Sequence, residues 1–393
     1  MVRKLPHNAQ TIALVYNVKE EAVSVASRGA DSISPAPSLT SPGSPSGSPV
    51  SVPAPVALEP SERTNDILAE WDTMETVSAV RSALEERCAV VMIEANEESF
   101  EKFRKGNFDF VFNIAEGLHG VSRESQVPAM LELLQIPYLG SDPLTLGLCL
   151  DKARAKEILD YHGVPTAPFS VIRTIDELDD VRLRFPSIVK PLHEGSSKGI
   201  YDSCVVRTPE ELEREVRTVF EVYHEPALIE EFLTGREFTA ALMGNDGAVE
   251  VLPIVEIKFD ALPPGANPIY SYEAKWVWDS REKPLEIFEC PARLSPVLKD
   301  EIEAMCKAAY RLLRCRDWAR IDVRCDAKGR PRILELNPLP GILPRPEDHS
   351  CFPKAARAAG MSYNQLINRV LDISLVRHGI SGPKSPVSRP GQN

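Results

Sequence analysis

The chain has little that would tie it to a membrane, to nucleic acid or to a disulfide framework. None of its apolar runs reaches the roughly eighteen residues that a membrane-spanning helix requires. The basic start, Met1 to His7, leads into no apolar stretch of signal-peptide length, so the cytoplasm is the expected compartment. None of the eight cysteines forms a Cys-x-x-Cys pair, and in such a chain they read as buried thiols. Cationic charge is in deficit, with 45 Lys and Arg against 57 Asp and Glu, net −12. That balance argues against a nucleic-acid binder, although a local basic pocket can still take ATP. Gly-x-x-x-x-Gly-Lys-Ser/Thr is missing too, which removes a Walker-type phosphate loop.

What is present is ordinary globular material: 393 residues, 43% hydrophobic and 26% charged, enough for two or three lobes. Strand and helix patterns alternate through an N-terminal α/β lobe spanning 1–31 and 61–148, which predicts a small parallel sheet. Residues 32–60 interrupt it. Ser or Pro fills more than half of that segment, which reads as a disordered insertion. A second lobe is expected over 149–236, a third over 237–378, and a flexible tail over 379–393. The stretch from Leu262 to Trp278 reads as a long loop whose length points to function.

Two clusters near the C-terminus carry the chemistry. Arg320-Ile321-Asp322-Val323 and Glu335-Leu336-Asn337-Pro338 each read as a short strand. Side chains alternate along a strand, so Arg320 and Asp322 share one face, as do Glu335 and Asn337. A hairpin of the two would gather Asp322, Glu335 and Asn337 with Arg320 beside them. Two carboxylates and an amide oxygen suit a hard divalent cation, magnesium first. Upstream, Lys190 ends an apolar strand and a Gly/Ser loop, Glu194 to Gly199, follows. A lysine beside backbone N–H groups that can approach closely makes a phosphate site, or equally a hairpin turn with a surface lysine.

Taken in order, the motifs resemble the D-alanine–D-alanine ligases of the ATP-grasp superfamily. They are Leu150-Asp151-Lys152, Ile188-Val189-Lys190-Pro191, Glu194-Gly195-Ser196-Ser197, Leu228-Ile229-Glu230-Glu231-Phe232-Leu233 with Glu237, Tyr272-Glu273-Ala274-Lys275, Ala319-Arg320-Ile321-Asp322, and Glu335-Leu336-Asn337-Pro338 with Pro340-Gly341. The resemblance implies an ATP-grasp fold, α/β with α+β lobes, behind an N-terminal parallel lobe. It implies Lys152 and Lys190 on the α- and β-phosphates, with Glu194 and Ser197 in the ATP set. Glu230 would accept from the adenine amino group, Glu231, Phe232 and Leu233 would read adenine, and Glu237 would hold ribose. Asp322, Glu335 and Asn337 would hold two magnesium ions, manganese being the alternative.

The implied reaction joins two amino acids through an acyl phosphate, with D-alanyl-D-alanine as the first expectation for the product. Arg320 and the Gly341 N–H would face the oxyanion, and Ser350, followed by Cys351, the second substrate. Ser196 and Lys275 would join the catalytic set. A homodimer is also implied. Ligation of other amino acids, or nucleotide binding without ligation, are the alternatives. Three departures motivate them. The family's Gly-Gly-x-Ser-x-Glu loop is missing after the first strand, and Glu70 is either its replacement or a carboxylate favoured by a helix N-terminus. Trp276 stands where tyrosine is usual. His119, in an altered loop with Glu124, is either a pocket residue or a solvated histidine.

Overall fold

A computed structural model describes residues 9–19, 71–278 and 285–381, with the side chains at 276 and 277 left aside. The Ser/Pro-rich segment 32–60 and Glu70 lie outside the described residues.

Three sheets frame the chain. The first is parallel, in the order β2–β1–β3, from β1 (Thr11–Tyr16), β2 (Ala89–Glu94) and β3 (Phe110–Asn113). β1 is central and covered on both faces, which explains its unbroken apolar run; Ile12, Ala13, Leu14 and Val15 are fully buried. Helix α1 (Met74–Glu85) starts at Thr73, whose hydroxyl accepts from the Thr76 N–H, and buries Val77, Val80 and Leu84. Met74, at the start of the apolar stripe, stays half exposed. Helices α2 (Ser99–Lys105) and α3 (Gln126–Leu133) follow.

The second sheet is antiparallel, in the order β4–β7–β5–β6, from β4 (Phe169–Ile172), β5 (Ser187–Pro191), β6 (Val205–Val206) and β7 (Ala227–Glu231). Asp202–Cys204 form a tight helical turn directly before β6, which leaves it two residues long. Helices α4 (Pro143–Leu150), α5 (Lys152–Tyr161) and α6 (Pro209–Thr218) accompany it. Asp151 ends α4 and caps α5, accepting from the Arg154 N–H at 3.0 Å, so Lys152 becomes the first residue of a helix.

The third sheet runs β11–β10–β8–β12–β13, with β9 on β8. Its strands are β8 (Glu237–Met243), β9 (Glu250–Val251), β10 (Val255–Ile257), β11 (Phe288–Glu289), β12 (Trp318–Cys325) and β13 (Pro331–Asn337). Helix α7 (Pro296–Leu312) packs on it, and α8 (Cys351–Ala358) and α9 (Tyr363–Arg377) close the chain. The stretch from Leu262 is not loop throughout: it ends in a wide helical turn, Ala274–Trp278. No helix among the described residues is long and apolar enough to cross a membrane.

The first and third sheets share a core. Trp318 is fully buried and meets Phe112 edge-on at 6.0 Å and Phe352 at 5.7 Å. Below it, fully buried Asp317 ties three segments together. Its carboxylate accepts from Gly140 N at 2.8 Å, Asn245 Nδ2 at 2.9 Å, and Arg377 Nε and Nη2 at 2.9 and 2.7 Å. Removing one partner of a buried ion pair leaves the other charge uncompensated. Asp317→Ala should therefore cost about 3–5 kcal/mol, read as a lower urea midpoint. An unchanged midpoint would mean that this node contributes nothing to holding the lobes together.

Candidate active site

The hairpin of β12 and β13 pairs Arg320 with Asn337 and Asp322 with Glu335. A bulge follows directly, between Asp322 and Val323, so the acids sit where the regular ladder ends. Arg320 Nε and Nη2 donate to the two oxygens of Asp322 at 3.1 and 2.9 Å. Asn337 Nδ2 reaches Asp322 Oδ2 at 3.3 Å, and Arg320 Nη2 lies 4.0 Å from Glu335 Oε1. Burial and the neighbouring Glu335 push the Asp322 carboxyl up, against Arg320. Burial pushes Glu335 up as well, but Lys152, Lys190 and Arg320 outweigh it and hold that carboxyl low. The donors are hard oxygens without sulfur or imidazole, which fits a hard divalent cation. Among the described residues no three His, Cys, Asp or Glu side chains converge as a metal cluster. The two acids therefore depend on Asn337 and on oxygens that a phosphate or water would bring.

Facing the hairpin is a lysine cage. Lys190 Nζ donates to Glu230 Oε2 at 2.6 Å, and Lys156 Nζ lies 2.5 Å from Oε1. Glu230 is 1% exposed. Burial raises its carboxyl, yet the two ammonium groups bring it down to about 2. Lys152 Nζ donates to the Glu194 carbonyl and stands 4.0 Å from Glu335 Oε2.

The Gly/Ser loop is strained where it meets the cavity. Ser196 and Ser197 both take left-handed backbone angles, φ 53° and 62°, which L residues adopt at a cost of about 1–2 kcal/mol each. Gly199, at φ 73°, approaches Pro191 so closely that a Cβ would lie 2.4 Å from its Cγ. The stretch from Leu262 docks on this loop. Ser197 Oγ donates to Tyr270 O at 3.0 Å, Tyr272 N to Ile200 O at 2.7 Å, and Lys275 Nζ reaches Ser196 O at 3.5 Å.

A cavity of about 460 Å³ joins these pieces. Lys152, Lys190, Glu194, Ser196, Ser197, Lys275, Arg320, Asp322, Glu335, Asn337, Gly341, Ser350 and Cys351 line it, as do Glu230, Glu231, Phe232, Leu233 and Glu237. Ser350 Oγ donates to the Gly341 carbonyl at 3.0 Å, and burial pushes the Cys351 thiol up to about 12. His119 does not join them: it is exposed and outside the cavity lining, its carbonyl accepting from Gln126. Glu116 and Glu124 line the cavity from the same segment instead. Trp276 belongs to the helical turn at 274–278, where only its backbone is described.

Three site groups were missed in the sequence. Lys156 lies one helical turn after Lys152, a spacing that puts both on one helix face. Arg324 extends the alternation of Arg320 and Asp322 by one step. It donates to Glu237 Oε2 at 2.7 Å and sits 4.7 Å over the Phe232 ring. Asp72 lines the cavity at the end of β1, bridged to Val18. Burial pushes its carboxyl up to about 7, with Lys19 opposing.

Residues 158–372 match a sequence profile described as the D-ala D-ala ligase C-terminus. The chain belongs to the D-alanine–D-alanine ligase family. An uncharacterized protein of Sinorhizobium fredii, y4sG, is 41% identical over 268 residues, 68% of this chain and 75% of that one. The D-alanine–D-alanine ligase of Haemophilus influenzae is 35% identical over 289 residues, covering 72% and 89%. That of Bordetella pertussis is 35% identical over 285 residues, covering 71% and 83%. A crystal structure of the Bacillus anthracis ligase complexed with ATP aligns with TM-score 0.63 at 24% identity, over 94% of this chain and 98% of that one. A second structure of that ligase gives 0.64 at 25% over the same shares. The fold is the one that the resemblance implies.

The Glu230 cage has a measurable acid signature. Its folded carboxyl titrates at about 2, below the ordinary 4.5, so its stabilisation is full above pH 4.5 and lost as pH falls toward 2. At about 1.4 kcal/mol per tenfold in proton affinity, the difference is about 3 kcal/mol. Glu230→Gln should lower the urea midpoint at neutral pH and flatten its fall between pH 4.5 and 2. A wild-type midpoint that does not change over that window would remove the cage as a source of stability.

Proposed function

We propose that the protein is an ATP-dependent carboxylate–amine ligase that joins two amino acids, with D-alanyl-D-alanine as product. One observation carries the reading: Lys152 and Lys190 line one cavity together with the hairpin's Arg320, Asp322, Glu335 and Asn337. A pocket with both sets suits a polyphosphate and its counter-cation. The relatives named D-alanine–D-alanine ligase support the substrate.

In this reading Lys152 and Lys190 neutralise the α- and β-phosphates, and the backbone of Gly195 to Gly199 approaches their oxygens. Glu194 and Ser197 hold that loop in place. The backbone of Glu231, Phe232 and Leu233 reads adenine, and Glu237, oriented by Arg324, holds ribose. We assign Glu230 a different part from the one the resemblance implied. Its carboxylate is held between two ammonium groups, so it serves as counter-charge and not as acceptor for the adenine amino group. Asp322, Glu335 and Asn337 would hold divalent cation, two magnesium ions with manganese as the alternative. When bound, the metal offsets phosphate charge.

The first amino acid's carboxylate attacks the γ-phosphorus, ADP leaves, and an acyl phosphate forms. The second amino acid's free amine then attacks the acyl carbon, inorganic phosphate leaves with its bonding pair, and the nitrogen gives up one proton, which the departing phosphate can take. Lys275 meets the transferred phosphoryl group from the 262–278 segment. Arg320 and the Gly341 N–H face the oxyanion of the second step. Ser196 links the glycine loop to that segment, and Ser350, next to Cys351, receives the second carboxylate. Use of ATP fits the cytoplasm as the compartment, and the family resemblance suggests a homodimer.

Ligation of other amino acids is the second reading. Asp72, Glu75, Glu116 and Glu124 all line the cavity and give its N-terminal wall an acidic cast. Asp72 stands beside Glu70 as a second candidate anchor for an ammonium group.

Phosphate release from ATP and magnesium should appear with D-alanine. No release with D-alanine but release with another amino acid moves the assignment to the second reading, and none with any amino acid sinks ligation. Lys275→Ala should lower kcat by about 10²-fold or more while the Kd for ATP stays near wild type. An equal loss in both would move Lys275 into ground-state binding.

A further inference from the structure

One buried histidine, outside the groups that meet substrate, holds the phosphate loop to two other elements. His193 is 6% exposed and directly precedes that loop. Its Nε2 lies 3.6 Å from Asp151 Oδ2, and its Nδ1 lies 3.3 Å from Glu225 Oε2. The same Glu225 oxygen accepts the His193 N–H at 2.8 Å. Asp151 also caps α5, so whatever fixes Asp151 fixes the first turn of the helix that carries Lys152. On the other side, Arg123 Nη2 donates to the His193 carbonyl and to Glu194 Oε2, both at 3.0 Å. Lys198 Nζ sits 2.9 Å from Glu194 Oε1, and Lys152 donates to the Glu194 carbonyl. The imidazole is thus the joint between the α5 cap, the segment entering β7, and the loop.

We propose that His193 is a positioning residue, an imidazolium that clamps Asp151 to Glu225, sets Lys152 and the Gly/Ser loop for polyphosphate, and makes nucleotide affinity fall at alkaline pH. The nucleotide part rests on the ligase reading above. The charges around it favour the cation. Asp151 and Glu225 face the ring from two elements. Lys152 and Arg154 on α5, and Arg123 before α3, oppose it, each already matched to an acid: Glu335, Glu157 and Glu194. Burial alone would lower the imidazole; the neighbouring Asp151 and Glu225 carboxylates outweigh it and raise it to about 9. The group therefore stays charged through neutral pH, and the clamp opens only above it.

The test has two arms. Without nucleotide, a histidine raised from 6.5 to about 9 stabilises fully below pH 6.5 and loses that contribution as pH rises through about 9. The Tm gap between wild type and His193→Gln should close over that window, and His193→Arg should show no such loss. With ATP and magnesium, the wild-type Kd should hold to about pH 8, weaken as pH rises through about 9, and level off about tenfold above its neutral value, where it meets His193→Gln. His193→Gln should bind about tenfold more weakly at neutral pH, with a flat profile, and kcat at saturating ATP should stay near wild type. His193→Arg, a permanent cation, should keep tight binding to higher pH than wild type, which separates this limb from the titration of the lysines. If His193→Gln does not fold, the arginine variant decides: an alkaline limb identical to wild type overturns the proposal. A wild-type protein that binds ATP with a flat profile through pH 10 overturns the role of His193 alone. A wild-type protein that binds no ATP overturns the ligase reading, and the nucleotide part of this inference with it.

Discussion

The site depends on one register. β12 and β13 must pair so that Asp322 faces Glu335 and Arg320 faces Asn337. A slip of one residue would turn every one of these side chains to the other face of the sheet. Two carboxylates directly opposite each other are an unfavourable cross-strand pair. What makes the pairing tolerable is the charge around it: Arg320 on Asp322, and Lys152 and Lys190 on Glu335. The apolar partners on the opposite face, Ile321 and Leu336, are buried and hold the register from behind.

The cavity is a balance of buried charges in an acidic protein. Lys152 and Lys190 belong to the second sheet and its helix, while the acids that temper them belong to the third. Glu230 supplies the second sheet's own counter-charge: with the other acids nearby it outweighs burial and holds the Lys190 ammonium above its ordinary value, while burial draws Lys156 down against the same carboxylate. The lysines are therefore positioned ahead of the ligand and need little rearrangement to meet it, which is where electrostatic stabilisation gains most. Arg324 does the same for Glu237, between Phe232 and Phe259.

Much of this was legible in the sequence because short strands impose period two. That rule put Arg320 with Asp322, and Glu335 with Asn337, on shared faces. The composition of Glu194 to Gly199 marked a tight loop. What escaped was pairing over long sequence separation. Lys156 matters because of Glu230, 74 residues away, and Asp72 because β1 ends beside it. Arg324 was one step beyond a motif read as ending at Asp322. Of the two alternatives for His119 the structure takes the solvated one: its loop turns at Gly117 and Gly120, both at positive φ, and leaves the histidine in solvent with Glu116 and Glu124 at the cavity.

The strained loop gives the pieces an order. Ser196 and Ser197 hold left-handed angles where glycine would be unstrained, so other contacts must fix them. Those contacts come from two directions. From below, His193, Arg123 and Lys152 grip the start of the loop. From above, the 262–278 segment grips its tip through Tyr270, Tyr272 and Lys275, and Tyr201 packs against Tyr272 at 5.3 Å. The lysine assigned to the transferred phosphoryl group thus rides on a segment fastened to the loop assigned to the phosphates. A shift in either would be felt by the other. An acyl phosphate made between them must be kept from water until the amine arrives. A loop and a covering segment joined by hydrogen bonds answer that need better than two elements moving separately.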